Sequence, residues 1–311
     1  MTVADALAVE SVASVVQRLA VMLGAGVAPT NAWRYLGDVD GFRDGVVDAV
    51  ARAIAHGGSI PAAIAGALSS AEREQSSSAW RAVAASWFVA NESGAPLASS
   101  LRETSETLRQ LGQLHRDVDA ALAGPRSTAR FVGVMPLLGL LFGTLLGFDT
   151  IGVLVGTVPG VCCLVVGALL SVAAVRWTSR LVTRARPSES SPGLTAQLVA
   201  IGLAGGGSLA RARDLATEAL ELHGLGEPDD VARIDQVLEL SRVAGVPAAE
   251  LLQSEARQIR REATSRAQTR AASLATTLMI PLGVCVLPAF MLLGVAPMMI
   301  AVFSSTMVEL S

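Results

Sequence analysis

Lysine is absent: all 24 basic residues are arginine. A P-loop needs a lysine to reach the β- and γ-phosphates, so a Walker-type nucleotide site is excluded. A GC-rich genome accounts for the bias, which carries no functional weight. Charge of either sign is scarce, 16% of residues against roughly 25% in soluble domains, and the deficit falls on two apolar blocks. A net charge of −3 gives no case for nucleic acid as a partner. The 3 histidines, His56, His115 and His223, lie on different helical segments without ligand spacing, so no metal is assigned. The 3 cysteines, Cys162, Cys163 and Cys285, sit inside apolar blocks and form neither a disulfide framework nor a CxxC site. A hydrolase at membrane depth needs Ser with His, or paired Asp, and neither combination occurs. No catalytic residue and no cofactor is expected, and an enzyme is not.

What is present begins with an apolar block, Phe131 to Val175, whose one charged side chain is Asp149. A bilayer core takes about 20 apolar residues per helix, so the block reads as two spans, 131–148 and 153–176, joined by a tight turn at Asp149. That acid, in a turn at the interface, is a solvated residue rather than an intramembrane functional group. A second charge-free block runs from Ala271 to Val308 and reads as one tilted span over 273–303, kinked at Pro281 or Pro288, with a short tail over 304–311. Arg126 and Arg130 precede the first span, Arg176 and Arg180 follow the second, and Arg257, Arg260 and Arg261 precede the third. The positive-inside rule then places both large polar segments in the cytoplasm and the C-terminus outside it. The acidic start, Met1-Thr2-Val3-Ala4-Asp5, lacks a basic n-region, so no cleavable signal peptide is expected. Gly143, Gly156, Gly160 and Gly167 let neighbouring spans approach closely. Polar groups at mid-membrane, which a solute pathway would need, are lacking.

The polar segments, 1–128 and 194–272 with a linker over 179–193, show helical periodicity and no strand alternation, so the fold class is all-α. Each reads as a helical domain, and the second repeats the first in shorter form. Gly94-Ala95-Pro96 and Gly245-Val246-Pro247 each precede a long Arg- and Glu-bearing helix that feeds a span; the first runs from Leu97 to about Ala123. Gly26 with Ala32 matches Gly206 with Ala212, and the second copy lacks about 30 residues, roughly the Gly58 to Ser78 region. Gly94 and Gly245 supply positive φ between helices, with Pro96 and Pro247 opening the next ones. Glu92 is either a contact for a cytoplasmic partner or simply an acid ending a helix. In the second copy Val243 stands where Glu92 would align. Asp38, Asp40 and Asp44 with Gly41 lack the closing glutamate of an EF-hand and read as a polar turn. Trp80 and Trp87, two helical turns apart, share one face.

In order along the chain, Glu92-Ser93-Gly94-Ala95-Pro96-Leu97, Gly124-Pro125-Arg126-Ser127, Met135-Pro136-Leu137-Leu138-Gly139, Thr157-Val158-Pro159-Gly160 and Ile280-Pro281-Leu282-Gly283 resemble the type II secretion F-domain family. Within that family they are most similar to TadB/TadC-type platform proteins of tight-adherence (Flp) pilus assembly. The resemblance implies a multi-pass platform of the bacterial inner membrane. It also implies partners: a cytoplasmic hexameric secretion-type ATPase, pilin subunits, and a second platform subunit or a second copy as a dimer. The alternative is a membrane scaffold or signalling protein that recruits cytoplasmic partners without an ATPase.

Overall fold

Four glycines at positive φ set the plan of the chain: Gly26 (88°) and Gly94 (75°) in the first polar segment, Gly206 (81°) and Gly245 (68°) in the second. A left-handed residue ends a helix cheaply only when it carries no Cβ. In the computed structural model, which describes residues 3–39, 45–69, 74–145, 150–185, 191–225, 230–297 and 299–300, every one of these glycines stands three residues ahead of the next helix. The first segment forms α1 (Val3–Gly24), α2 (Pro29–Asp38), α3 (Gly45–Ala55), α4 (Ile60–Ser69), α5 (Glu74–Ser93) and α6 (Leu97–Leu145). Next come α7 (Thr150–Gly156) and α8 (Val158–Ala185), and then the second segment, α9 (Leu194–Ala204), α10 (Leu209–His223), α11 (Asp230–Ala244) and α12 (Ala248–Thr277). No strand occurs among the described residues. The helices α3 and α4 lie between α2 and α5, where the shorter copy has only the connection from α10 to α11.

Contacts divide the chain into two units. Unit one takes Met1–Asp117 with Ser188–Ser265, so both polar segments contribute to it; unit two takes Val118–Pro187 with Arg266–Ser311. Two apolar cores hold unit one together, and α5 serves both. Its Trp80, Val83 and Trp87 face a core built with α1, α2, α3, α4 and α6. Its Ala82, Ala85 and Val89 face a core built with α9, α10, α11 and α12. A helix apolar on all sides is a buried helix. The shared face of Trp80 and Trp87 closes on Trp33 of α2, at centroid distances of 6.1 and 6.0 Å.

The long helix expected to end near Ala123 continues without interruption through Gly124-Pro125 to Leu145. Pro125 removes one backbone donor, and the carbonyl it would have bonded belongs to Ala121, which is exposed. Among the described residues, three helices are long and apolar enough to cross a membrane: Leu7–Gly24, Val158–Leu181 and Ala248–Val295. They are not the three expected spans throughout. The first expected span ends beyond the described part of α6, and Asp149 with its turn lies outside the described residues. Leu7–Gly24 instead buries Val12, Val16 and Leu19 in the first core, as a core helix does.

In unit two, α8 starts afresh at Thr157-Val158-Pro159. The Thr157 hydroxyl accepts from the Gly160 amide at 3.1 Å, a cap with Pro in the first turn. Beyond Leu278 the last stretch proceeds as α13 (Met279–Pro281), a wide π turn (Leu282–Val286), α14 (Leu287–Phe290) and a second π turn (Met291–Val295). Each π turn follows a proline, Pro281 or Pro288, whose missing amide leaves the ladder to re-register. This stretch packs on α8, where Gly167 lies so close to Leu293 that an added Cβ would stand 2.5 Å from its Cγ.

Candidate functional site

The first expected site is the turn between α5 and α6. Glu92 is exposed at the end of α5 and accepts from Asn91 Nδ2 at 3.3 Å. Gly94 holds positive φ, and the Ala95 amide donates back to the Ala90 carbonyl at 3.0 Å, closing the helix. The Pro96 carbonyl then accepts from the hydroxyls of Ser99 (2.9 Å) and Ser100 (3.1 Å). Beside this turn sits the α9–α10 turn: a Cβ at Gly205 would fall 2.1 Å from the Ser93 carbonyl oxygen, so only glycine fits. The matching turn of the second segment, Gly245 to Pro247, is held by the Ser241 hydroxyl donating to the Val246 carbonyl at 2.7 Å.

The expected juxtamembrane arginines separate into two kinds. Arg176 and Arg180 are exposed on α8, next to exposed Trp177. Arg126 and Arg130 lie on α6. Arg257 and Arg261 are exposed on α12, Arg261 donating to Gln258 Oε1 at 3.0 Å. Arg260 turns into the unit instead, and its Nη1 donates to Gln197 Oε1 at 3.3 Å.

Gln197 is the centre of a polar cluster that the sequence reading missed. It is fully buried on α9. Its Oε1 also accepts from Thr107 Oγ1 at 3.0 Å, and its Nε2 donates to Thr104 Oγ1 at 3.2 Å. Thr104 and Thr107 share a face of α6 by their i, i+3 spacing. Beside them Gln253 of α12 donates to Glu103 Oε2 at 3.4 Å. Burial raises the Glu103 carboxyl above its usual range against the opposing pull of Arg260 and Arg257. Burial likewise lowers Arg260, opposed by Glu103. Three helices, α6, α9 and α12, thus meet in one buried hydrogen-bonded group, of the kind that fixes which helix faces meet. A glutamine among the apolar residues of Leu194–Ala204 was the available signal, since a polar side chain on an otherwise apolar helix must find partners.

A second tie was equally silent in the sequence. Arg233 of α11 reaches Glu255 (2.9 Å) and Glu262 (3.0 Å) of α12, and its hydrogen bond to Glu262 raises its already high pKa. Ser105 Oγ donates to the Ala13 carbonyl at 2.8 Å, and Arg116 pairs with Glu10, joining α6 to α1. No group of His, Cys, Asp and Glu able to hold a metal occurs among the described residues. Asp40, Gly41 and Asp44 of the expected polar turn lie outside the described residues.

The arrangement is one of helix ends and inter-helix ties around α6 and α12, the helices that carry the chain from unit one into its apolar stretches. No curated protein and no solved structure matches the chain. Residues 15–145, from within α1 to the end of α6, match the family described as Type II secretion system (T2SS), protein F. Over those residues the chain is similar to this family, and apolar helices long enough to cross a membrane fit a membrane protein.

Proposed function

We propose that this protein is an inner-membrane platform of a type IV pilus-like, tight-adherence assembly machine or a type II secretion machine. It couples a cytoplasmic hexameric ATPase to extraction of pilin subunits from the bilayer and their addition to a filament. It performs no chemistry of its own; the work is mechanical. The observation that carries the reading is α6, a helix of 49 residues that starts in the F domain and ends in apolar sequence without a linker. A motor acting on unit one would tilt or rotate that helix, and a continuous helix passes the motion along. The arginine distribution supports a cytoplasmic unit one. The paired glycine turns support reading 194–272 as a second, shorter F-type copy. The Glu92 turn is proposed as an ATPase contact, because its carboxylate is exposed and, among the described residues, accepts a hydrogen bond from its neighbour Asn91.

The test is co-purification of the full chain in detergent with the cognate secretion-type ATPase, with hydrolysis rate measured in parallel. Complex formation and a changed rate are expected, both reduced in Glu92→Arg. If correctly folded protein neither binds nor alters the rate, the motor-platform reading fails and a scaffold without an ATPase takes its place.

A further inference from the structure

The internal repeat serves as a ruler for the surface of unit one. The glycine pairs Gly26/Gly206 and Gly94/Gly245 fix the counterparts, each pair at positive φ and equally spaced from the next helix. Four positions that face a copy's own core show the correspondence. Val16 and Leu19 of α1 are buried, as are their counterparts Ala196 and Val199 of α9. Leu101 and Leu108 of α6 are buried, and so are Leu252 and Ile259 of α12.

Burial differs within the first core, where Trp80 is buried and its counterpart Val231 exposed, and it also differs at positions where one copy packs on the other. Ile201 of α9 and Ala219 of α10 lie in the core shared with α5. Their counterparts in the first copy, Val21 and Val39, are exposed; Ile201 is 3% accessible and Val21 56%. Tyr35, one turn before Val39 on α2, is exposed too. The same holds at the other end. Val89 and Ala95, in α5 and just after it, are buried against the second copy, while their counterparts Leu240 and Val246 are exposed; Val89 is 0% accessible and Leu240 55%. Val243, between them, is the counterpart of Glu92, so an apolar residue adds to the patch where the first copy has a charge. Unit one therefore carries two apolar patches, one at α1–α2 and one at the end of α11. Within this same chain, surfaces in those two positions are packed on each other.

We infer that a second copy of this chain docks head to tail, the α11 patch of one subunit covered by the α1–α2 patch of the next, by continuing the contact that joins the two repeats. The surfaces differ, so the contact is heterologous; it leaves one patch free at each end and adds subunits until a ring closes. One position keeps it looser than its internal template. Gly205 admits the Ser93 carbonyl because it has no Cβ, whereas its counterpart Ala25 has one. The methyl group holds the subunits apart where the repeats touch, and the association is reversible. The inference goes beyond the platform reading and needs no ATPase.

The test uses the full chain in lipid nanodiscs and in detergent, with mass distribution followed against protein concentration. Dimers and larger species are expected to grow with concentration. Val243→Glu and Tyr35→Glu, both on exposed side chains, each weaken association by about ten-fold or more, since a carboxylate is forced into an apolar contact. Mixing the two variants restores dimers but nothing larger, because the intact α11 patch of Tyr35→Glu meets the intact α1–α2 patch of Val243→Glu. Ala25→Gly tightens the association. A chain that stays monomeric in both media overturns the inference. So does loss of association in Val243→Glu with none in Tyr35→Glu, which would mark a symmetric contact, or an Ala25→Gly variant no tighter than the parent. Far-UV circular dichroism and melting of each variant separate weakened docking from misfolding.

Discussion

Gln197 has three hydrogen-bond partners on two other helices, and Arg260 depends on it: the Arg260 Nε is buried with no partner among the described residues, while its Nη1 is satisfied by the glutamine. Gln197→Leu fits the volume and strips that acceptor away. Leaving a buried donor and part of a guanidinium unmet costs about 2–4 kcal/mol. The melting temperature of the purified protein should fall accordingly, with Gln197→Glu losing less because its carboxylate offers Arg260 a counter-charge. A Gln197→Leu variant as stable as the parent would remove the cluster from the forces holding α6, α9 and α12. His223 makes a separate prediction with a sign. Buried at the end of α10, its imidazole is pushed below its usual pKa by desolvation first and by the Arg81 cation second. The folded state therefore binds fewer protons than the unfolded state, so stability is full above about pH 6.5 and declines as pH falls below it. Melting curves between pH 5 and 8 should show that decline in the parent and a flatter profile in His223→Asn.

At the scale of elements, what could be read in advance was punctuation, and what could not was pairing. Gly94 and Gly245 were recognisable because a glycine followed by a proline in a helical pattern leaves few conformations, and both hold positive φ. That the helix from Leu97 leads straight into apolar sequence was legible; that it stays helical through Gly124-Pro125 was not, because helix breakers are local while their tolerance depends on what surrounds the freed carbonyl. Arg260 looked like one more juxtamembrane cation because sequence gives its neighbours along the chain, not Gln197, 63 residues away. The small residues of the apolar block were read as close-packing positions, and Gly167 is one. A Cβ there meets the Cγ of Leu293 at 2.5 Å and its two methyl carbons at 2.9 and 3.1 Å. Gly167→Ala should destabilise the pairing of α8 with the last helical stretch by about 1–3 kcal/mol, the usual cost of overpacking. Leu293→Ala alone leaves a cavity, and the double variant should be more stable than the sum of the singles implies. Thermal denaturation of the four proteins in one detergent measures the coupling; strict additivity would mean the two side chains do not meet.

At the scale of the whole molecule, the proposed mechanical role would rest on α6 and α12, the two helices that leave unit one for apolar sequence. Both helices are tied in unit one by the Gln197 cluster, and α12 further by the Arg233 fork to Glu255 and Glu262. Both then continue into apolar sequence. If the platform acts by moving these helices, their bending stiffness is the quantity that matters, since a helix interrupted by flexible residues transmits neither tilt nor rotation. A short Gly-Ser insertion after Gly124 leaves the unit-one cores and every tie described above intact. It should therefore abolish filament assembly or secretion while ATPase binding and protein level stay at parental values. An insertion of four alanines at the same place keeps the helix continuous but turns the apolar part by about 40° (3.6 residues make one turn), and it should retain more activity than Gly-Ser. Filament counts or secreted substrate, normalised to protein level, decide the matter. Full assembly by the Gly-Ser variant would mean the motion reaches the membrane by some route other than α6.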